Sequence, residues 1–379
     1  MSKIPPSSLR AGFSTGACAA AASVAAWRTW RSGHSPQNIR LLFPDGKLRR
    51  LAILKTRRST RAATTTIRKD AGDDIDITHR ALIQASLSPA SFNSSDSADF
   101  ILPCGSATLI LRGGKGVGKV TRPGLDVPPG HWAINPVPRR MILDNLRRAG
   151  LGRKPGTWQL TLAIPQGVTL ARRTLNPTLG IVGGLSILGT SGIVIPCSHQ
   201  AYLATIRALL RGARAAGCDT VILATGGRTH RAARRQFPRL PETAFIRIGD
   251  FFTESIAAAI KLGFRHIIIA CMAGKLAKYA QGIDYTHARA KAQSMADIGR
   301  LLRRLHLPPA LSLRIRKTRS MREFLENLDL EQHRQILKLL ACQTWQRLTR
   351  RHPSGKFTIM VFDAGGKPLA RHPAKSNRR

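Results

Sequence analysis

The segment DAGDDIDITH, residues 70–79, gathers four carboxylates and one imidazole within ten residues. Acids and a histidine so close could bind a cation, or supply a general base that takes a proton in a transition state. Asp-Gly runs are also ordinary turn chemistry, because Asp side chains hydrogen-bond the backbone just ahead of them. The candidates here are Asp73, Asp74, Asp76 and His79. In INPVPRR, residues 134–140, Arg139 and Arg140 follow a proline-stiffened bend, and guanidinium forks match carboxylates two hydrogen bonds at a time. Arginine is abundant along the whole chain, so residue type alone does not give those two a ligand. THARAK, residues 286–291, offers His287 and Arg289 on the same terms.

GGKGVGKVTRPG, residues 113–124, has the glycine spacing of a nucleotide-phosphate loop, ending in Gly118-Lys119. Such a loop needs Ser or Thr after the lysine and a helix whose first amides face the anion. Val120 follows instead, and Pro123-Gly124 breaks the chain where that helix should begin. The spacing therefore does not predict a phosphate site, and the glycines need another explanation.

These residues must be positioned by a chain of 379 residues, longer than one hydrophobic core usually supports, so two domains are expected. Sixty-one Lys and Arg against 20 Asp and Glu leave a net charge of +41. A field of that sign attracts nucleic acid, anionic membrane or a polyanionic small molecule without choosing among them. The six cysteines are Cys18, Cys104, Cys197, Cys218, Cys271 and Cys342; no two stand at zinc or redox spacing, so reduced thiols and no metal site are expected. ACAAAASVAAW, residues 17–27, reads as a helix and not a secretory core. No apolar run reaches the ~18 residues of a membrane span, which points to a cytoplasmic protein.

Ser14 precedes that alanine-rich helix and can cap it. Alternating runs such as IRLLF and TTTIRK predict strands and hairpins, and SLSPASFNSSDSAD, residues 86–99, a loop. The expected first domain, residues 1–192, is α+β with a mixed sheet. From residue 193 to 370, apolar runs alternate with helical ones, the pattern of an α/β domain with a small parallel sheet. Ligands gather beyond the carboxyl ends of such strands. That selects Thr225-Gly226-Gly227, Gly249-Asp250 and Gly274-Lys275 as cofactor loops. Asp250 could accept ribose hydroxyls or cap the next helix; Lys275 could bind an anion or sit on a solvated helix start. Residues 371–379 are expected to be a disordered basic tail.

GFSTGACAAAA, KDAGDDIDITH, GGKGVGKVTRPGL, AINPVPRRMI, TLNPTLGIVGGLSILGTSGIV and AGKLAKYAQGIDYTHAR, in this order, resemble the CbiD family of cobalt-precorrin-5B C-1-methyltransferases. The likeness runs from about residue 9 to about residue 370. It implies transfer of a methyl group from S-adenosylmethionine to C-1 of cobalt-precorrin-5B, giving cobalt-precorrin-6A in anaerobic cobalamin (vitamin B12) biosynthesis. The cobalt would then be carried by the substrate, a polycarboxylate corrinoid. Other enzymes of the pathway become candidate partners. Under this resemblance Asp73, Asp74, Asp76 or His79 would serve as base if a ring proton is lost; Arg139, Arg140, His287 and Arg289 would hold substrate carboxylates. Arg80 stands where the family usually has glycine and Lys115 where it often has an acid, which puts the backbone angle at residue 80 in question. A basic nucleic-acid binder is the rival class, but 5% aromatics and no zinc spacing give it charge without a reading head. A relative that keeps the fold and has lost catalysis is the third reading.

Overall fold

A computed structural model of the chain describes residues 9–91, 95–196, 198–283 and 294–373. The chain divides into two compact units, Met1–His199 and Gln200–Arg379.

The first unit is built around helix α1 (Thr15–Ser32). Seven of its alanines, Ala17, Ala19 to Ala22, Ala25 and Ala26, have no exposed surface. Small side chains let the helix lie close on a sheet, and Ala carries no helix-propensity penalty. The Ser14 hydroxyl accepts a hydrogen bond from the Ala17 amide at 3.1 Å, as the sequence suggested, and Gly33 closes the helix in a left-handed conformation at φ 77°.

Six strands form the sheet: β1 (Lys55–Arg58), β2 (Ala63–Arg68), β3 (Leu82–Pro89), β4 (Phe100–Cys104), β5 (Ala107–Gly113) and β6 (Gly156–Ala163). Their order is β1-β2-β3-β6-β5-β4, antiparallel except for the central β6-β5 pair. Parallel neighbours need a crossover, and the chain between β5 and β6 contains helix α2 (Pro136–Arg148). The loop expected over residues 86–99 begins later than its composition implied. Ser86 to Pro89 continue β3, because Ala85 and Leu87 are buried on one face and Leu87 pairs with both Ala63 and Leu160. Tertiary pairing outweighs the turn preference of serine there.

In the second unit, helix α3 (His199–Ala215) leads into β7 (Thr220–Ala224), α4 (Gly227–Gln236), β8 (Phe245–Arg247), α5 (Phe252–Lys261), β9 (His266–Met272) and α6 (Ala273–Gln281). Three short helices follow, α7 (Met295–Arg304), α8 (Pro309–Arg316) and α9 (Met321–Glu326), then α10 (Leu330–Arg351), β10 (Lys356–Phe362) and β11 (Pro368–His372). Strand order is β8-β7-β9-β10-β11, parallel except for β11. Val221 to Ala224 and Ile267 to Cys271 are almost wholly buried, as strands covered on both faces must be. The chain steps from β7 to the edge at β8 and returns past it to β9, so the order reverses at β7. The tail expected from residue 371 starts later, since Arg371 and His372 pair with Met360 and Ile359.

Backbone meets backbone in the first unit. A Cβ on Gly116 would overlap the Ile164 carbonyl oxygen, and Gly116 sits at φ 76°, where L side chains are strained. Gly116→Ala is expected to cost at least about 3 kcal/mol, read as a lower urea midpoint for the unfolding of the first unit.

Candidate functional site

Residues 70–79 are pinned at both ends. Arg10 donates two hydrogen bonds to the Asp70 carboxylate, at 2.6 and 2.9 Å, and its amide donates to Asp73 Oδ2 at 2.6 Å. The Arg10 guanidinium holds the Asp70 carboxyl down at about 2. Phe13 N donates to Asp70 O at 2.7 Å, so the chain entering α1 is tied to the acidic segment.

Lys69, 1% exposed, is the residue that pattern reading missed. Alternation along β2 gives the signal, since Ala63, Thr65 and Ile67 are buried and Lys69 shares their parity. Its ammonium donates to Asp76 Oδ2 at 2.7 Å. The other Asp76 oxygen accepts from the Thr78 amide at 2.7 Å and hydroxyl at 2.6 Å. Burial alone would raise the Asp76 carboxyl, but the Lys69 charge and these hydrogen bonds outweigh it and the net direction is down. Among the four proposed acid–base residues, Asp76 is therefore held as an ion-pair acceptor. His79 Nδ1 accepts from the Ala71 amide at 3.2 Å, which in the neutral ring leaves the proton on Nε2. Asp73 is exposed, and its second oxygen makes no hydrogen bond among the described residues. Asp74 is half-buried. Arg80 adopts φ 64°, the glycine-like angle in question, despite its side chain.

The glycine loop holds no phosphate cradle. Its amides are spent on the protein: Gly114 N donates to Leu162 O, Val117 N to Gly114 O and Gly118 N to Leu185 O. Gly118 O accepts from Ala133, whose own carbonyl accepts from Ile187, and Ile187 O accepts from Asn135, the residue before α2. From the same stretch, Leu188 O accepts from Gly16, while the Thr15 hydroxyl receives Leu188 N at 2.9 Å. A Cβ on Gly184 would overlap Gly116 O, and one on Gly189 the Ser14 hydroxyl. The glycines thus let the four motif segments interlock at the start of α1.

That network sets the start of α2 and so Arg139. The guanidinium lies 4.0 Å from the centroid of the Phe100 ring, which also stacks on His131 at 5.3 Å. Arg139 Nε is buried with no hydrogen-bond partner among the described residues, and burial lowers the guanidinium pKa. Arg140 is exposed. His287 and Arg289 lie outside the described residues.

In the second unit the three selected loops come together at the strand ends. Thr225 N donates to Ala270 O and Ile248 N to Ala224 O, and Lys275 Nζ pairs with the Asp250 carboxylate. Asp250 is thus engaged by Lys275, and α5 begins after Phe251 without a side-chain cap. Burial, with the Lys278 charge second, brings the Lys275 ammonium down to about 8. A Cβ on Gly226 or Gly274 would meet nothing, and one on Gly227 only the tip of Arg231 at 3.8 Å. These glycines border open space beside the N-termini of α4 and α6, neither of which has an acid in its first turn. Gly249 differs: at φ 56° its Cβ would meet the Tyr202 hydroxyl at 3.1 Å.

Among the described residues no group of three or more His, Cys, Asp or Glu side chains is placed to hold a metal ion. Burial pushes the Cys18 and Cys271 thiols up to about 12, far from reactive thiolates. No helix among the described residues is long and apolar enough to cross a membrane.

A family model described as CbiD matches residues 2–196. The cobalt-precorrin-5B C(1)-methyltransferase of Polaromonas naphthalenivorans (strain CJ2) is 39% identical over 380 residues, 98% of this chain and 100% of that protein. Those of Priestia megaterium and Geobacillus sp. (strain WCH70) are 40% and 35% identical, covering 76% and 96% of this chain and the same shares of their own lengths. A crystal structure of the cobalamin biosynthesis protein cbiD from Archaeoglobus fulgidus is 24% identical, over 72% of this chain and 80% of that one, with a TM-score of 0.38, too low to carry a structural argument.

The Lys69–Asp76 pair makes its own prediction. Asp76→Asn leaves a buried ammonium without its counter-charge and should cost about 3 kcal/mol at neutral pH. The folded Asp76 pKa is lowered, so the contribution is complete above the unfolded value near ~3.9 and is lost as pH falls through the folded one. Urea midpoints of variant and parent, measured from pH 7 down to pH 2, should converge at the acid end.

Proposed function

The chain belongs to the CbiD family, and from that premise we propose that it is the S-adenosylmethionine-dependent methyltransferase acting at C-1 of cobalt-precorrin-5B. The observation that carries the reading is likeness to enzymes of that name over 98% of this chain and the full length of the relative. The product is cobalt-precorrin-6A, within anaerobic cobalamin biosynthesis.

The second unit's strand-end loops fit the cofactor. Open space over Gly226, Gly227 and Gly274 admits a ligand at backbone distance, and the first amides of α4 and α6 favour its carboxylate. Asp250 is the acceptor proposed for the ribose hydroxyls, with Thr225 and Gly249 shaping the loops beside it, and Lys275 fixes the Asp250 carboxylate. When bound, S-adenosylmethionine supplies an electrophilic methyl group. The protein's task is then alignment and exclusion of water, since displacement at carbon demands in-line approach more than acid–base help.

The first unit supplies groups suited to the substrate. Corrin precursors carry acetate and propionate arms. The buried, unmatched Arg139 Nε is a donor whose desolvation goes uncompensated until it meets an acceptor such as a carboxylate. Arg140, exposed beside it, extends the fork; His287 and Arg289, which belong to the second unit, are proposed to hold further carboxylates. Where a ring proton must leave, Asp73 is the base of choice, since Asp76 and His79 already hold Lys69 and Ala71. The net charge of +41 raises the local concentration of a polyanionic substrate.

Oxygen-free incubation with cobalt-precorrin-5B and methyl-labelled S-adenosylmethionine should place one label at C-1, read by mass spectrometry; intact substrate without label would refute the reading. Asp250→Ala should weaken S-adenosylhomocysteine binding about tenfold or more, measured by calorimetry, the loss of a hydrogen bond to a charged group. Arg139→Ala with Arg140→Ala should raise the KM for the corrinoid about tenfold or more on the same reasoning, with cofactor affinity unchanged.

A further inference from the structure

The second unit contains a cavity of about 410 Å³ that none of the groups above explains. It is walled by the start of α5 (Phe252, Thr253, Ile256), the end of α6 (Tyr279, Gly282, Ile283) and the end of α10 with His352. The Phe252 and Tyr279 rings stack on each other with centroids 3.6 Å apart at 11°, and both are buried. Arg347, Arg350 and Arg351 also line the cavity, and no carboxylate among the described residues does.

Basic residues near a helix C-terminus complement its macrodipole, and that alone could place the arginines at the end of α10. Two observations go further. Arg347 and Arg350 make no ion pair and no hydrogen bond among the described residues. The α6 cap is shaped around one of them: Gly282 sits at φ 79° and a Cβ on it would overlap the Arg347 guanidinium. Guanidinium forks lining such a cavity suit a ligand with carboxylates at its edge. It is the wrong environment for a sulfonium, whose positive charge three arginines would repel.

We propose that this cavity is a carboxylate-binding subsite that takes an acid-bearing edge of the corrinoid through Arg347 and Arg350. The assignment rests on the proposed methyl transfer for the identity of the ligand. Two sources share its chemistry, the substrate's own arms and a free small polycarboxylate.

The test uses the full chain carrying Arg347→Gln and Arg350→Gln, singly and together, with the Arg→Lys replacements as conservative controls. Both arginines are exposed, so the thermal midpoint should hold. In the double variant the corrinoid KM should rise at least tenfold with kcat and S-adenosylhomocysteine affinity unchanged, and lysine should restore part of the loss. An unchanged KM in the folded double variant overturns the subsite, as does loss of S-adenosylhomocysteine binding with KM preserved, which would give the cavity to the cofactor. Calorimetry with cobyrinic acid, a corrinoid polycarboxylate, and with citrate separates the sources and is independent of turnover. Arginine-dependent binding of cobyrinic acid supports the proposal even if the parent protein forms no methylated product. Arginine-dependent binding of citrate alone overturns the corrinoid assignment.

Discussion

Close backbone approach through missing side chains is the constraint on which the first unit depends. Gly116 sits against Ile164 and Gly184, and Gly189 against Ser14, at separations that any Cβ would violate. Amides that a phosphate loop would offer to a ligand instead tie these segments together. Interlocking of this kind fixes where α1 and α2 begin, and with them the neighbourhood of Arg10, Asp70 and Arg139. Chemistry in this unit falls to side chains around the lattice, since the lattice's own polar groups are consumed.

The second unit works differently. Its glycines at 226, 227 and 274 border open space, so the same residue type that brings backbones together in one unit leaves room beside them in the other. Strand order explains this. Reversal at β7 parts the connections on either side at the carboxyl ends of the strands, where the Asp250–Lys275 pair lies.

Much of this was legible in the residues, and the omissions have physical causes. Alternation of apolar strands with helical runs marked the α/β unit and located its loops, because parallel strands buried on both faces leave an unambiguous signature. Ser14 declared itself as a cap by type and place. The partnership of Arg10 with Asp70 was invisible, since no periodicity links residues that far apart. Lys69 was not singled out because a lysine at the end of a strand is ordinarily solvated, and burial with a partner, the condition under which it stays inside, depends on a residue that the strand pattern does not show. Serine content hid the end of β3, where packing of Leu87 prevails. At Arg80 the resemblance raised the right question, and the backbone keeps the left-handed angle at the strain this imposes on a side chain.

The cap of α1 also has a bearing on synthesis. Thr15 finds its partners at Ser186 and Leu188, 171 and 173 residues downstream. At roughly 5–20 residues per second, the start of the helix waits about 10 to 30 s on the ribosome for those segments to appear. A helix built of alanine is well suited to that interval, since it exposes little sticky surface while its neighbours are still being made. The order of translation therefore favours the composition that the finished packing also requires.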